Sequence, residues 1–269
     1  MYKKNNTLLI YSIIYFAFLY TPVMLLPIFS FNDAIHMVFP LKGFTFKWYD
    51  QMIHSSRLHK ALMNSVKVGL VASIFSTLIA LLAAKAFTRY KVKFHQLSYG
   101  AILLPFVIPE IIIAVALIVL WTGMGLQLGL IPVTIAHILF CTPFCLLILI
   151  SRMEGFDKNL EEAAMDLGEN AWGTFWRVTF PLVLPGVIAS LLLSFVISFD
   201  EFILAFFLSS SDQTLPMYMW GQMRFPKKLP HVLALGAVII VVTSLIVIIS
   251  YWLRNIGNPS SKKSNIGGI

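Results

Sequence analysis

Between two long apolar runs the chain reads Glu161-Glu162-Ala163-Ala164-Met165-Asp166-Leu167-Gly168-Glu169-Asn170-Ala171-Trp172-Gly173-Thr174-Phe175-Trp176-Arg177-Val178-Thr179-Phe180-Pro181. Six of the chain's twelve acidic residues (Glu154, Asp157, Glu161, Glu162, Asp166, Glu169) fall in this neighbourhood of a protein whose net charge is +8. Asn159 is placed to cap a helix whose first turn holds Glu161 and Glu162, where carboxylates favour the helix dipole. Ala163, Ala164 and Leu167 give that helix one small apolar face, and Gly168 supplies a left-handed residue to end it. Trp172, Phe175 and Trp176 add a bulky apolar surface, and Pro181 restarts the chain as a new helix. A short exposed helix with a small-residue face and aromatic neighbours suits insertion into a groove on a partner protein.

The flanks of this loop decide the surrounding medium. Of 269 residues, 58% are hydrophobic and only 12% charged, with a mean hydropathy of +0.83. A soluble domain carries about 25% charged residues, so this chain has too little polar surface for a water-soluble globule. A spanning helix needs about 20 mostly apolar residues. Six segments qualify: Leu8–Phe31, Leu62–Phe87, Leu97–Trp121, Leu128–Ile150, Leu182–Leu208 and His231–Leu253. Runs such as Ile111-Ile112-Ile113-Ala114-Val115 do not alternate as barrel strands would. The expected fold class is therefore an all-α membrane protein with six transmembrane helices. The first run is too long for a cleaved signal peptide and lacks a small-residue cleavage site, so it reads as a retained span.

Organisation follows. Residues 1–7 form a short N-terminus, 8–256 a six-span domain with the long loop 152–181, and 257–269 a polar tail expected to be disordered. With both termini cytoplasmic, the inside holds twelve Lys and Arg and the outside seven, a bias that favours this orientation. The positive charge lies between apolar runs rather than in a groove, which fits membrane lipid and not nucleic acid. The connection Asn32–Ala61 carries Phe44, Phe46, Trp48 and Tyr49, residues favoured at the membrane interface. Cys141 and Cys145 lie one helical turn apart with no metal-ligand set around them and read as small packing residues. No site for a metal and no catalytic cluster is expected. No phosphate-binding Gly-x-x-x-x-Gly-Lys-Ser/Thr loop occurs, so this chain is not expected to bind ATP.

Charges inside spans are costly and point to function. Glu110 follows Pro105 and Pro109, whose spacing breaks the helix ladder and frees carbonyls to line a cavity. Asp200 and Glu201 lie between Phe199 and Phe202. Adjacent helical positions point about 100° apart, so one of the two acids is expected to face a pathway and the other a neighbouring helix or subunit. Carboxylates with aromatics suit an ammonium-bearing solute. Pairing with Lys67, Lys85 or a partner chain is the structural alternative. His137, in an apolar run, reads as a hydrogen-bonded packing residue.

The pattern Glu162-Ala163-Ala164, three residues, Gly168, nine residues, Val178, then Phe180-Pro181 resembles the loop signature of ABC importer permeases, with Phe180 where the family usually has Leu. The resemblance implies a type I ABC importer permease fold with a cytoplasmic coupling helix that docks on an ATPase. Glu161, Glu162, Ala163, Ala164, Asp166, Gly168, Trp172 and Pro181 would serve that coupling. Further stretches extend it: Leu104–Glu110, Ala136–Phe144, Ser198–Phe202 and Thr214-Leu215-Pro216-Met217-Tyr218 are similar to the C-type permeases of spermidine/putrescine importers. Those permeases usually carry two Asp where this chain has Asp200-Glu201. The resemblance implies a polyamine pathway that includes Glu110, Phe199, Asp200, Glu201, Phe202 and Tyr218. It implies as partners an ATPase dimer holding ATP and Mg, a second and different permease subunit, and an extracytoplasmic binding protein. The expected location is a bacterial inner membrane. Another small metabolite or ferric ion carried by the same machinery is the alternative cargo. An ATP-independent transporter would not need the loop, and a membrane enzyme would cluster its His, Asp or Ser at one face.

Overall fold

The computed structural model describes residues 6–90 and 93–256. The expected tail 257–269 and most of the segment 1–7 lie outside the described residues. In chain order the helices are α1 (Asn6–Ser30), α2 (Lys47–Ile53), α3 (Ser56–Arg89), α4 (His95–Val107), α5 (Glu110–Gly123) and α6 (Leu130–Glu154). They continue as α7 (Asn159–Asp166), α8 (Ala171–Thr174), α9 (Phe180–Asp200), α10 (Ile203–Leu208), α11 (Leu215–Met223) and α12 (Leu229–Ile256). A π turn, Phe175–Thr179, joins α8 to α9, and a 3-10 turn, Pro226–Lys228, precedes α12. Among the described residues the only β pairing is a single bridge between Asn32 and Phe44. The chain divides into two units, Met1–Ser55 with Gly221–Ile269, and Ser56–Trp220.

In the Ser56–Trp220 unit, α3, α6 and α9 pack together, and their sequences show why. The inward face of α3 is a ladder of small residues, Ala61, Ser65, Ala72, Ser76, Ala80 and Ala84. Small residues let backbones approach where lipid supplies no hydrophobic drive between helices. Gly69 allows a close approach: a Cβ there would lie 3.0 Å from the Phe195 ring of α9. Polar groups in this dry interior bond to nearby carbonyls. Ser194 Oγ donates to Ser190 O at 2.6 Å and Thr142 Oγ1 to Ile138 O at 2.6 Å. The cysteine thiols tie α6 to α9, Cys141 donating to Ser194 O at 3.6 Å and Cys145 to Ser190 O at 3.7 Å. Their packing role thus includes a weak polar link.

The other unit sets α1 beside α12 and packs α2 on α12. Trp48 Nε1 donates to Asn32 O at 2.9 Å, and the Ser30 and Tyr49 hydroxyls lie 2.6 Å apart. Phe31 stacks on Phe44 and Tyr49 at 4.9 and 5.0 Å between ring centres. The aromatic connection is therefore folded on itself and ends in α2.

Four helical stretches among the described residues are long and apolar enough to cross a membrane: Leu8–Ser30, Ser56–Arg89, Leu130–Glu154 and Ala171–Asp200. The pair α4 and α5 makes a fifth if counted as one span, bent by 103°. The sixth expected run lies on α12. Two expected spans are corrected in form. Leu97–Trp121 is broken at Ile108-Pro109, where Ile108 turns extended and α5 restarts at Glu110. Leu182–Leu208 ends at Asp200, because Glu201 is extended (φ −69°, ψ 125°) and α10 begins at Ile203. Pro181 falls in the first turn of α9, where a missing N–H is tolerated, as expected, although the helical path reaches α9 from Ala171 through the π turn.

The length of α3 places its charges. From Lys67 to Lys85 the rise is about 27 Å at 1.5 Å per residue, close to the hydrocarbon thickness. Arg57 and Lys60 lie in its first turns, beyond Lys67, and Arg89 ends it.

Candidate functional site

The loop is built from caps. After α6 ends at Gly155, the Asp157 carboxylate accepts from the Asn159 backbone N–H at 3.0 Å and from Asn159 Nδ2 at 3.3 Å. Asp157 is thus the capping residue. The expectation for Asn159 is corrected, since Asn159 is already the first residue of α7. At the other end Gly168 has φ +95°, with its N–H on Met165 O, and the Glu169 N–H reaches Ala164 O. This is the left-handed stop that the sequence implied. Asn170 Oδ1 then accepts from the Gly173 N–H at 2.8 Å and starts α8, while Arg177 pairs with Glu169.

The eight loop residues divide by orientation. Glu162, Ala163, Asp166, Gly168, Trp172 and Pro181 are exposed, and Ala164 is half-buried. Beside them Leu167 is 89% and Trp172 71% exposed. Trp172 packs edge-on to Trp176 at 5.8 Å, and Trp176 lies 4.9 Å from Phe180. Glu161 points the other way and is 8% exposed. Its Oε2 is 2.7 Å from Arg89 Nε, and its Oε1 accepts from the Thr179 hydroxyl. Lys85 Nζ sits 4.3 Å above the Phe175 ring nearby. The loop therefore has an outward apolar-acidic face and an inward polar anchor.

The intramembrane acids also separate. Glu201, 7% exposed, folds back over the start of α10. Both its oxygens lie 3.0 Å from the Leu204 N–H, and Oε2 also accepts from Ala205 at 3.3 Å. His137 Nε2 is 3.3 Å from the same oxygen, and His137 Nδ1 is 2.7 Å from Ser198 Oγ. Glu201 caps α10 and lies beside His137 of α6. Glu201 lies outside the helix, so the offset of about 100° between neighbouring helical positions does not set its direction. Asp200, the last residue of α9, is exposed and has no ion-pair partner among the described residues. A carboxylate at a helix C-terminus opposes the dipole, so nothing local stabilises its charge.

Glu110 opens α5 at the bend and lines an apolar cleft of about 580 Å³ with Phe106, Pro109, Phe140, Phe144 and Ile203. Phe144 lies 5.1 Å from Phe106 and 5.7 Å from Phe140, edge to face. Asp200, Phe199 and Tyr218 do not line that cleft. Phe202 stacks between Phe206 and Trp220, each at 5.4 Å, and Tyr218 is buried on α11. The structure thus joins Glu110 to aromatics, leaves Asp200 open, and assigns Glu201 to the frame. No site role was legible in the sequence for Arg89, counted there only among the inner basic residues, nor for Thr179 or Ser198.

Comparison with known proteins places this architecture. Residues 76–263 match the family described as binding-protein-dependent transport system inner membrane component. The chain is 32% identical over 255 residues to the spermidine/putrescine transport system permease protein PotC of Escherichia coli (strain K12), covering 94% of each. It is 28% identical over 247 residues to the putrescine transport system permease protein PotI of the same strain, covering 88% of this chain and 87% of that one. Among solved structures it is similar to a bacterial ABC transporter involved in the import of the acidic polysaccharide alginate, with TM-score 0.72 and 16% identity over 95% of this chain and 98% of that chain. With this fold, this loop and these matches, the chain belongs to the inner membrane component family of binding-protein-dependent transport systems.

Proposed function

We propose that this chain lines half of the translocation pathway of an ABC importer for a small polycation of the polyamine class. The observation that carries the reading is the outward face of the loop. Glu162 and Ala163 stand exposed on α7, Leu167 and Gly168 at its end and Trp172 on α8, in a chain that has no phosphate-binding loop of its own. Such a surface needs an ATPase to dock on. ATP and Mg would sit on that dimeric partner, and its closure would move the spanning helices through a two-state change. A second, related permease would complete the pathway, and an extracytoplasmic binding protein would deliver the solute. Both termini and the loop would lie in the cytoplasm, in keeping with the Lys and Arg balance.

The cargo reading rests on Asp200 and Glu110. Both are carboxylates without an ion-pair partner among the described residues, and Glu110 adjoins aromatic rings. Ammonium groups satisfy such acids by ion pairing and cation–π contact. The names of the relatives point the same way, whereas the fold alone does not, since a structurally similar importer handles an acidic polysaccharide. The test is the ATPase rate of the reconstituted complex. Binding protein loaded with spermidine or putrescine should stimulate it. Stimulation only by another metabolite or by ferric ion would overturn the cargo reading and leave the importer reading intact.

A further inference from the structure

We propose that Arg89 is the positioning residue through which the docking helix α7 moves the spanning helix α3, a role that rests on the docking reading above. Arg89 is the last residue of α3, and its side chain is 8% exposed. Its Nε lies 2.7 Å from Glu161 Oε2, in the first turn of α7. Its Nη2 donates to the Met153 carbonyl at 3.0 Å, near the end of α6, and its guanidinium covers the Phe156 ring at 4.4 Å. Glu161 in turn accepts from the Thr179 hydroxyl in the π turn that leads into α9. One ion pair therefore joins α7 to the ends of three spanning helices.

A push on the exposed face of α7 reaches α3, to which it has no direct chain connection, through groups that grip α7. Among the described residues of α7, Glu161 alone is buried. The remaining grip is weak, since its alanines offer little apolar area. Apolar contacts slide, but a guanidinium held by charge against a carboxylate at 2.7 Å and by a hydrogen bond to a carbonyl at 3.0 Å is pinned at two points. The pair thus makes α7 and α3 move as one body.

The test uses the assembled importer in lipid nanodiscs, with spin labels on Leu160→Cys in α7 and Leu82→Cys in α3. Both sites are exposed, and the natural cysteines are buried. Distances are measured without nucleotide and after trapping ATP with vanadate, so no cargo is needed. In the otherwise unaltered protein the distance should be the same in both states. In Glu161→Gln, Arg89→Lys and the double Arg89→Met/Glu161→Met variant it should match that distance without nucleotide. On trapping it should shift or broaden by about 2 Å or more, the scale of helix displacements in such switches. The apolar pair guards against misfolding, because buried ion pairs generally tolerate replacement of both partners.

Three results would overturn the proposal. One is a variant distance that trapping leaves unchanged. Another is a shift already present without nucleotide, or loss of assembly in all three variants, which would make the pair a fold-holding contact only. The third is a shift in the unaltered protein. Failure of the ATPase to bind the unaltered chain at all would instead sink the docking reading.

Discussion

Replacing Asp200 and Glu201 one at a time should separate two neighbouring carboxylates into different roles. Glu201→Ala removes the acceptor for the Leu204 and Ala205 N–H groups and leaves His137 Nε2 without its carboxylate. Loss of a helix cap costs about 1 kcal/mol, and hydrogen bonds to a charged group contribute about 1.5–3 kcal/mol. Polar contacts in membrane proteins run toward the low end because the unfolded reference state also finds partners. A loss of about 2–3 kcal/mol follows, which at about 2–4 °C per kcal/mol is a fall in Tm of about 5 °C or more. Asp200→Asn removes no contact and relieves a charge opposed to the dipole of α9, so Tm should hold or rise slightly. If Asp200 meets an ammonium group in a dry pathway, the lost interaction of about 1.5–3 kcal/mol lowers apparent affinity for the polycation by roughly 10- to 100-fold. The assay pairs thermal unfolding in detergent, followed by Trp fluorescence, with concentration-dependent uptake. An Asp200→Asn Tm that falls as far as that of Glu201→Ala, or a neutral Glu201→Ala, would refute the reasoning.

Other positions give independent checks. Gly168→Asp places a side chain at φ +95°, costing about 1–2 kcal/mol locally, and should abolish co-purification with the ATPase while the permease still inserts. Glu162→Lys reverses an exposed charge on the proposed docking face, so stability should change by less than about 0.5 kcal/mol while transport falls sharply in an uptake assay. Gly69→Val meets the Phe195 ring, 3.0 Å from the first added carbon, and should destabilise the packing of α3 on α9 by about 1–3 kcal/mol, read as a lower Tm.

The sequence made the medium and the loop readable for a physical reason. Apolar run length reports that helices cross a membrane, and a Gly at a helix end reports a left-handed turn, both from local chemistry. The breaks were harder to see. Pro22, Pro27, Pro143 and Pro185 all lie inside continuous helices, so a proline alone does not mark where a span bends. The break at Glu201 goes with its own side chain capping α10, beside His137 of α6, a proximity between distant parts of the chain. The same holds for the loop Glu161–Pro181. Glu161 and Glu162 are equivalent by composition, yet Arg89 and Thr179 draw one inward and leave the other exposed. Asp157 displaced Asn159 as the cap because its carboxylate satisfies both the backbone N–H and the side-chain amide of Asn159.

The central claim is that an outside ATPase, docked on the loop Glu161–Pro181, powers transport through this chain. Its most direct measurement is spermidine uptake into proteoliposomes that hold the permease pair with the ATPase and binding protein, each component and ATP omitted in turn. Uptake should require all of them and should vanish in Gly168→Asp. Uptake that persists without the ATPase or without ATP would contradict the account.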